Sequence, residues 1–498
     1  MRSVLVFFLT SLFVSPLQAV ESGTSSSSLW ERSVVRIEVT SKQFDYYQPW
    51  NQRSKRVQKV GIVTGSREIL TPAEYLSNET LARVQKNGRG KWWIGKLMWV
   101  DYPANLAVVT VDEDSFWSDL EPVILDGKMP EDGSLHLVNW NDGVLESRKA
   151  AFMRFVVEES ETGAINHVQF KANVDLEGAG WGEPLVSDSH VVGIATRQAG
   201  NICTVTPASF IRAVKEAHRG TYRGLGYFHF YWQPAENTAS LEYLGLKGEP
   251  RGVLVIRVPE RLDGIAPVLQ PRDVILEIDG FQIDIQGDYN DPDYGYLMLE
   301  NLATRNKWAG DNVQLKILRE GKEMNVTYRL PKYEYTNWLV PSESFDQEPD
   351  YFIIGGLVFQ SLTTDYLRAW GTEWQRRAPF RLNYYTSEEA TKERPSLVIL
   401  SQVLPDNYNI GYQEQRYLVV EKINDRPIRR LTDLTDAFQN PVGNYHIIDF
   451  KKGNELQRIV LAAGAEERSA TRRVLERYGV NDQFRFAPQD AVASPSKN

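Results

Sequence analysis

Two stretches in the C-terminal half of the chain repeat one order of elements. The first opens at Tyr222-Arg223-Gly224-Leu225-Gly226-Tyr227, continues through Gly252-Val253-Leu254-Val255-Ile256 and reaches Asp273-Val274-Ile275-Leu276-Glu277-Ile278-Asp279-Gly280. It closes with Gly310-Asp311-Asn312-Val313 and Arg319-Glu320-Gly321. The second opens at Gly355-Gly356-Leu357-Val358-Phe359, continues through Leu397-Val398-Ile399-Leu400, and gives Leu418 to Asp425 before a helical pattern at Leu431 to Phe438. Both read as glycine-led strand, strand, strand-plus-turn, helix, strand, so each is a small β-rich domain of its own. Upstream, from Val35 to about residue 215, short β-branched runs are broken by Gly, Asp, Asn and Pro. Val35, Ile37 and Val39 alternate with Arg36, Glu38 and Thr40, which is the period of a half-buried strand. Short strands at this spacing predict a β-barrel or sandwich, closed by a helix over 207–218. With 498 residues, 42% of them hydrophobic, the chain can supply several separate cores.

Charge and cysteine usage narrow the function classes. The net charge of −9 argues against non-specific binding to nucleic acid. The single cysteine, Cys203, allows no internal disulfide and no thiolate cluster, and its apolar strand context predicts a buried packing residue. No HExxH, P-loop or EF-hand pattern is present, so neither metal nor other cofactor is expected. Residues 1–19 have one charge, Arg2, an apolar run from Val4 to Val14, and Ala19 at a plausible cleavage point. That is the layout of a signal peptide, and the run is shorter than the about 20 residues a membrane span needs. The expectation is an exported protein, working in a periplasm-like compartment, with an uncleaved membrane anchor as the alternative. Residues 20–29, with Ser25 to Ser28, read as a flexible leader.

At this point the chain resembles the HtrA/Deg family, a trypsin-like double β-barrel followed by PDZ domains, over about residues 30–465. Ile69-Leu70-Thr71 resembles the strand before that family's catalytic His, and Asn105-Leu106-Ala107-Val108-Val109 the stretch carrying its Asp. Gly182-Glu183-Pro184-Leu185-Val186 resembles the nucleophile segment, and Val192-Gly193-Ile194 the strand after it. The resemblance implies a mainly β fold. Its parts are a trypsin-like domain over 30–220, a first PDZ domain over 221–335, a linker over 336–350, a second PDZ domain over 351–465, and a helical then disordered tail over 466–498.

Carried over residue by residue, the family's His falls on Glu74, its Asp on Asn105 and its Ser on Trp181. Serine attack needs a hydroxyl, a base near neutrality and an anion to orient that base. An indole, a carboxylate and an amide supply none of these in the required places. Glu183 also replaces a glycine beside the expected oxyanion donors, where a carboxylate would oppose the charge building in the transition state. Thr71-Pro72-Ala73-Glu74 reads as a helix-capping box, Asn105 as a loop residue before a strand, and Trp181 as filling the cleft. Gly178, Gly180 and Gly182 are expected to supply the backbone angles of a tight loop.

The PDZ segments keep what the family needs for peptide binding. A PDZ domain adds an extended peptide to a sheet edge and holds its terminal carboxylate on the amides of a glycine-led loop. By resemblance the candidates are Gly224, Leu225, Gly226 and Tyr227 in the first domain, with Leu225 toward a pocket for an apolar last residue. Gly355, Gly356, Leu357 and Val358 are their counterparts in the second, unless the groove of one or both domains is filled from within the protein. Tyr46-Tyr47-Gln48-Pro49-Trp50 reads as an exposed loop of the kind that helps relatives assemble into trimers or larger rings, and Trp92 and Trp93 as barrel core. The resulting expectation is a pseudoprotease. It would bind unfolded or C-terminal segments of envelope proteins as chaperone, scaffold or regulator, alone, as a trimer-based oligomer or in a mixed ring with an active paralogue. The alternative is an endopeptidase with displaced catalytic residues.

Overall fold

The protein is described as a computed structural model covering residues 29–486 apart from 164, 262, 454 and 455. The expected signal peptide, nearly all of the leader and the end of the tail lie outside the described residues. Six strands come first: β1 (Val34–Phe44), β2 (Gln52–Gly65), β3 (Glu68–Thr71), β4 (Glu79–Gln85), β5 (Trp92–Asp101) and β6 (Leu106–Val111). They close into a barrel in the order β1-β2-β3-β6-β5-β4. Val35, Ile37 and Val39 of β1 meet Val63, Ile69, Val84, Val109 and Val111 inside it, as their alternation demands. Trp93 packs edge-on against Phe116 at the rim of this core, while Trp92 lies under the Arg83 guanidinium.

A second barrel follows, from β7 (Ile124–Leu125), β8 (Ser134–Asn141), β9 (Val144–Glu159), β10 (Asn166–Val174), β11 (Pro184–Ser187), β12 (His190–Ala199) and β13 (Ile202–Pro207). The order β11-β8-β9-β10-β13-β12-β7 is closed by pairing of β11 with β12. Leu137, Phe170, Leu185, Val192 and Val205 fill it, and Cys203 is buried among them. Helix α1 (Ala208–Arg219) then packs back over the first barrel, with Lys215 Nζ 2.9 Å from the Glu68 carboxylate. The double barrel is therefore all-antiparallel apart from β7, as the short alternating runs imply.

The segment expected as a first PDZ domain folds as the sheet β14 (Tyr231–Pro234), β15 (Val253–Arg257), β16 (Val274–Ile278), β20 (Asn312–Arg319) and β21 (Lys322–Arg329), in that order. β17 (Phe281–Gln282) pairs with β16, and β18 (Asp288–Asp291) and β19 (Gly295–Met298) form a separate hairpin. Tyr294 at that hairpin's turn sits 4.7 Å from Phe155 of β9 and hydrogen-bonds Ser209 at 2.7 Å, so this domain shares a core with the barrels.

The second PDZ domain is an eight-stranded sheet from β22 (Tyr351–Ile354), β23 (Leu357–Ser361), β24 (Val398–Val403), β25 (Leu418–Ile423), β26 (Arg426–Pro427), β27 (Tyr445–Phe450), β28 (Arg458–Ala462) and β29 (Phe484–Arg485), with helix α2 (Asp433–Gln439) on one face. Its order is β28-β27-β25-β24-β23-β22-β29, with β26 beside β25. Two parts of the sequence expectation change here. Residues 336–350 are no loose linker: Leu339 and Val340 are buried with Leu362, Tyr366, Ile399 and Val419, and Phe345 stacks on Tyr102 of the first barrel at 3.9 Å. The helix expected in the tail, α3 (Ala465–Tyr478), and β29 are built into the second domain, Val474 being buried against Ile353 and Val358.

Candidate functional site

The cleft between the barrels is assembled by backbone bonds. Val60 N of β2 donates to Trp181 O at 2.9 Å, and the Thr71 hydroxyl donates to Val60 O at 2.9 Å. These bonds bring the Glu74 segment, the end of β2 and the loop before β11 together. That loop turns on Gly178, Gly180 and Gly182, with φ of +80°, +107° and +106°. At Gly182 a Cβ would lie 2.5 Å from Val60 O, so only glycine fits. Thr71 to Glu74 starts no helix. Thr71 spends its hydroxyl on Val60, and Tyr75 and Asn78 adopt φ of +62° and +56°, which break any helical turn.

Glu74, Asn105 and Trp181 lie around one cleft. The buried Asn105, itself at φ +51°, accepts the Glu74 amide on Oδ1 at 3.0 Å, and its Nδ2 has no hydrogen-bond partner among the described residues. Trp181 does not plug the cleft: its indole is half-buried and stacks on Tyr75 at 5.5 Å with a 27° tilt. Lys55 caps the other side of that tyrosine at 4.2 Å. Beside them opens a cavity of about 450 Å³ lined by Glu74, Tyr75, Glu161, Glu177 and Arg197.

Two buried charges complete the centre. Glu183 is almost fully buried, and one carboxylate oxygen accepts both the Gly180 amide, at 2.9 Å, and the Trp181 amide, at 2.8 Å. These two N–H groups belong to the loop that would otherwise offer donors to an oxyanion. Burial pushes the Glu183 carboxyl above its ordinary value, against the pull of those amides and of Lys59. Lys59, also buried, donates to Pro72 O at 2.6 Å and to Glu74 O. Burial pulls its ammonium down to about 7, opposed by Glu74 and Glu183. Glu74 is raised by burial, with Lys59 opposing. Sequence reasoning passed over Lys59, although its period-two register places it on the face of Val57 and Gly61, where a lysine is out of pattern. Among the described residues, no hydrogen bond joins a histidine ring to a serine, threonine or cysteine.

In the segment expected as a first PDZ domain Gly224 takes φ +87°, Gly226 bridges to Lys332, and Tyr227 packs edge-on to Tyr333. Leu225 is buried in the core shared with the barrels, with 1% of its surface exposed, rather than facing an open pocket. β14 is the end strand of its sheet, and Trp232 Nε1 reaches from it to Glu300 on the facing 3₁₀ turn at 2.8 Å.

The second domain's loop has another role than the one expected. Gly355 and Gly356, at φ +56° and +89°, are the two-residue turn of a hairpin joining β22 to Leu357 and Val358 of β23. Strand β23 is paired on both sides, by β22 and β24, so no peptide can add to it. β22 fills that slot from within the chain, and β29 adds outside it, with Phe352 stacked on both Phe438 of α2 and Phe484.

The loop after β1 is likewise engaged inside the chain. Tyr47 meets Trp370 edge-on at 5.5 Å, and Trp50 meets Tyr351 at 6.0 Å. Gln360 donates to Tyr46 O at 3.2 Å, Gln402 to Tyr47 O and Arg485 to Pro49 O. The aromatic side chains read as exposed therefore dock the barrel onto the second PDZ domain.

A family model described as a PDZ domain matches residues 340–484. Do-like 13 of Arabidopsis thaliana is 26% identical, the match covering 94% of this chain and 91% of that protein. The chloroplastic Protease Do-like 2 of the same plant is 25% identical over 90% of this chain and 74% of its own length. Among solved structures, the HtrA-type protease AlgW with a decapeptide is 18% identical over 62% of this chain and 99% of that one, with a TM-score of 0.47.

Proposed function

We propose, from the premise that the chain belongs to the HtrA/Deg family, that it is a non-catalytic member. It binds unfolded or C-terminal segments of envelope proteins as chaperone, scaffold or regulator, after export by its N-terminal segment. The observation that carries this reading is the Glu183 carboxylate seated on the Gly180 and Trp181 amides. An acyl-transfer site of this kind needs the amide at the nucleophile position, here Trp181, free for the oxyanion, and a buried carboxyl there both occupies that donor and opposes the charge that develops. Trp181 offers no nucleophilic atom, and Glu74 has no imidazole's capacity to take a hydroxyl proton and return it. Peptide binding is assigned to the first PDZ domain, around Gly224 to Tyr227 and the end strand β14, because the corresponding slot of the second is filled by β22.

The test pairs an unfolded substrate such as casein with a fluorophosphonate probe. The full chain is expected to leave casein intact, take up no probe, and suppress aggregation of a reduced, unfolding client. Trp181→Ser is expected to stay unlabelled, since a hydroxyl alone restores neither base nor oxyanion donors. Casein turnover by the pure chain that survives substitution of Trp181 and Glu74 would favour the alternative, an endopeptidase with displaced residues.

A further inference from the structure

Between β23 and β24 the second PDZ domain carries a helical excursion. From Trp374 to Tyr385 this excursion has three arginines, four aromatic residues and no carboxylate, in a chain whose net charge is −9. Two short helices, Trp374–Arg377 and Phe380–Asn383, and a 3₁₀ turn, Tyr384–Ser387, make up the stretch.

Packing fixes which of these side chains point outward. Ala378 and Leu382 are buried with Leu362, Leu367 and Ile399, which holds the stretch by its inner side. Asn383 Nδ2 donates to Gln375 O at 2.7 Å and ties the two helices together, and Arg381 donates to Arg416 O at 3.3 Å. Phe380 is thereby left 80% exposed, with Tyr384 52% exposed beside it and the two ring centroids 6.3 Å apart. Single exposed apolar side chains are ordinary, but a pair held in place among cations is a different case. The Arg376 and Arg377 side chains are 85% and 63% exposed, and Glu373, at 3.9 and 3.3 Å, is their one ion-pair partner among the described residues. Cations continue past the aromatic pair: the Tyr385 ring lies under Arg394 at 4.8 Å and Lys451 at 5.6 Å, with Glu388 3.5 Å from Arg394.

Exposed rings flanked by guanidinium groups suit a layer that is anionic at its surface and apolar beneath. The rings enter the acyl boundary, while arginine stems lie along the apolar side and their heads stay with the phosphates. We propose that this face docks the protein on an anionic phospholipid membrane, with Phe380 and Tyr384 inserted and Arg376 and Arg377 on the headgroups. The acidic excess of the whole chain does not oppose this, because at physiological salt charges more than about 8 Å away are largely screened. A second copy of the chain suits the face less. In a two-fold contact the arginines of one face would meet those of the other, with no carboxylate between Trp374 and Tyr385 to pair them. Docking adds a place of action to the peptide-binding reading and does not depend on it.

The test uses the chain from Val20 onward, so that the apolar run from Val4 to Val14, which lies outside the described residues, adds no lipid affinity of its own. Co-sedimentation is measured with vesicles of phosphatidylcholine alone and of equimolar phosphatidylcholine and phosphatidylglycerol. Binding to the anionic vesicles is expected to be at least ten-fold tighter, and to fall steeply in about 0.5 M NaCl. Arg376→Glu combined with Arg377→Glu should weaken it at least ten-fold, each arginine being worth about five-fold at such a surface. Phe380→Ser should weaken it several-fold, which separates insertion from simple attraction to a polyanion. All three changes are at exposed positions, and a Tm equal to the parent's checks the fold of each variant. Equal binding to the two kinds of vesicle, or parental binding by either variant, overturns the assignment. A drop in sedimenting mass for Phe380→Ser without loss of vesicle binding would instead give the face to a second copy of the chain.

Discussion

At the residue scale the centre of the cleft is governed by what burial does to charge. Lys59 sits among Pro72 O, Glu74 O and two carboxylates, and its ammonium titrates near 7 rather than 10.5. In the unfolded chain the same lysine holds its proton up to about 10.4. Between these two values the unfolded state binds more protons than the native one, so stability from this group rises with pH from about 7 to about 10.4. The raised carboxyls of Glu74 and Glu183 act in the opposite sense, above the ordinary carboxylate range, where the native state holds protons that the unfolded state has released. Lys59→Met should therefore flatten the gain in unfolding free energy from urea titrations between pH 7 and pH 9.5 by up to about 3 kcal/mol. A wild-type chain with no such gain, or a variant that keeps it, would place the lysine's proton elsewhere.

At the scale of elements, the turn between β22 and β23 decides what the second PDZ domain can do. Gly356 at φ +89° would bring a Cβ to 2.3 Å from Leu404 O and 2.4 Å from Asn409 Nδ2. Both are fixed groups, since Asn409 Nδ2 already donates to Gly355 O and Leu404 O. Gly356→Ala should thus cost about 2 kcal/mol or more, combining left-handed strain with a backbone clash, and be seen as a lowered Tm of the second PDZ domain in calorimetry. A Tm unchanged within a degree would mean that the hairpin relaxes freely and that β22 is no fixed occupant of the groove. The Gly-Gly pair was visible in the sequence. Its role was not, because a glycine-led carboxylate loop and a two-residue hairpin turn ask for the same residues, and only the strand before them tells the two apart.

Across the whole molecule, the loop after β1 ties the first barrel to the second PDZ domain. Tyr47 and Trp50 contact it through Trp370, Tyr366 and Tyr351, and Lys42 with Arg485 brackets Glu348 at 2.9 and 2.7 Å. Trp370→Ala should cost about 2 kcal/mol in aromatic packing and open residues 45–51 to chymotrypsin, a cut absent from the native digest. Protection of that loop in the variant would show that the backbone bonds from Gln360, Gln402 and Arg485 hold it unaided.

Local sequence settled a barrel region ahead of smaller β-rich modules, the inward faces of strands such as Val35-Ile37-Val39, and the residue types at 74, 105 and 181, since alternation, glycine spacing and side-chain chemistry are properties of short windows. Which donors those residues still offer was decided in three dimensions. Glu183 takes the Gly180 and Trp181 amides, β22 takes the groove, and the Tyr46 to Trp50 loop takes the face of the second PDZ domain, because a buried polar group or a sheet edge must find a partner and that partner can come from anywhere in the chain.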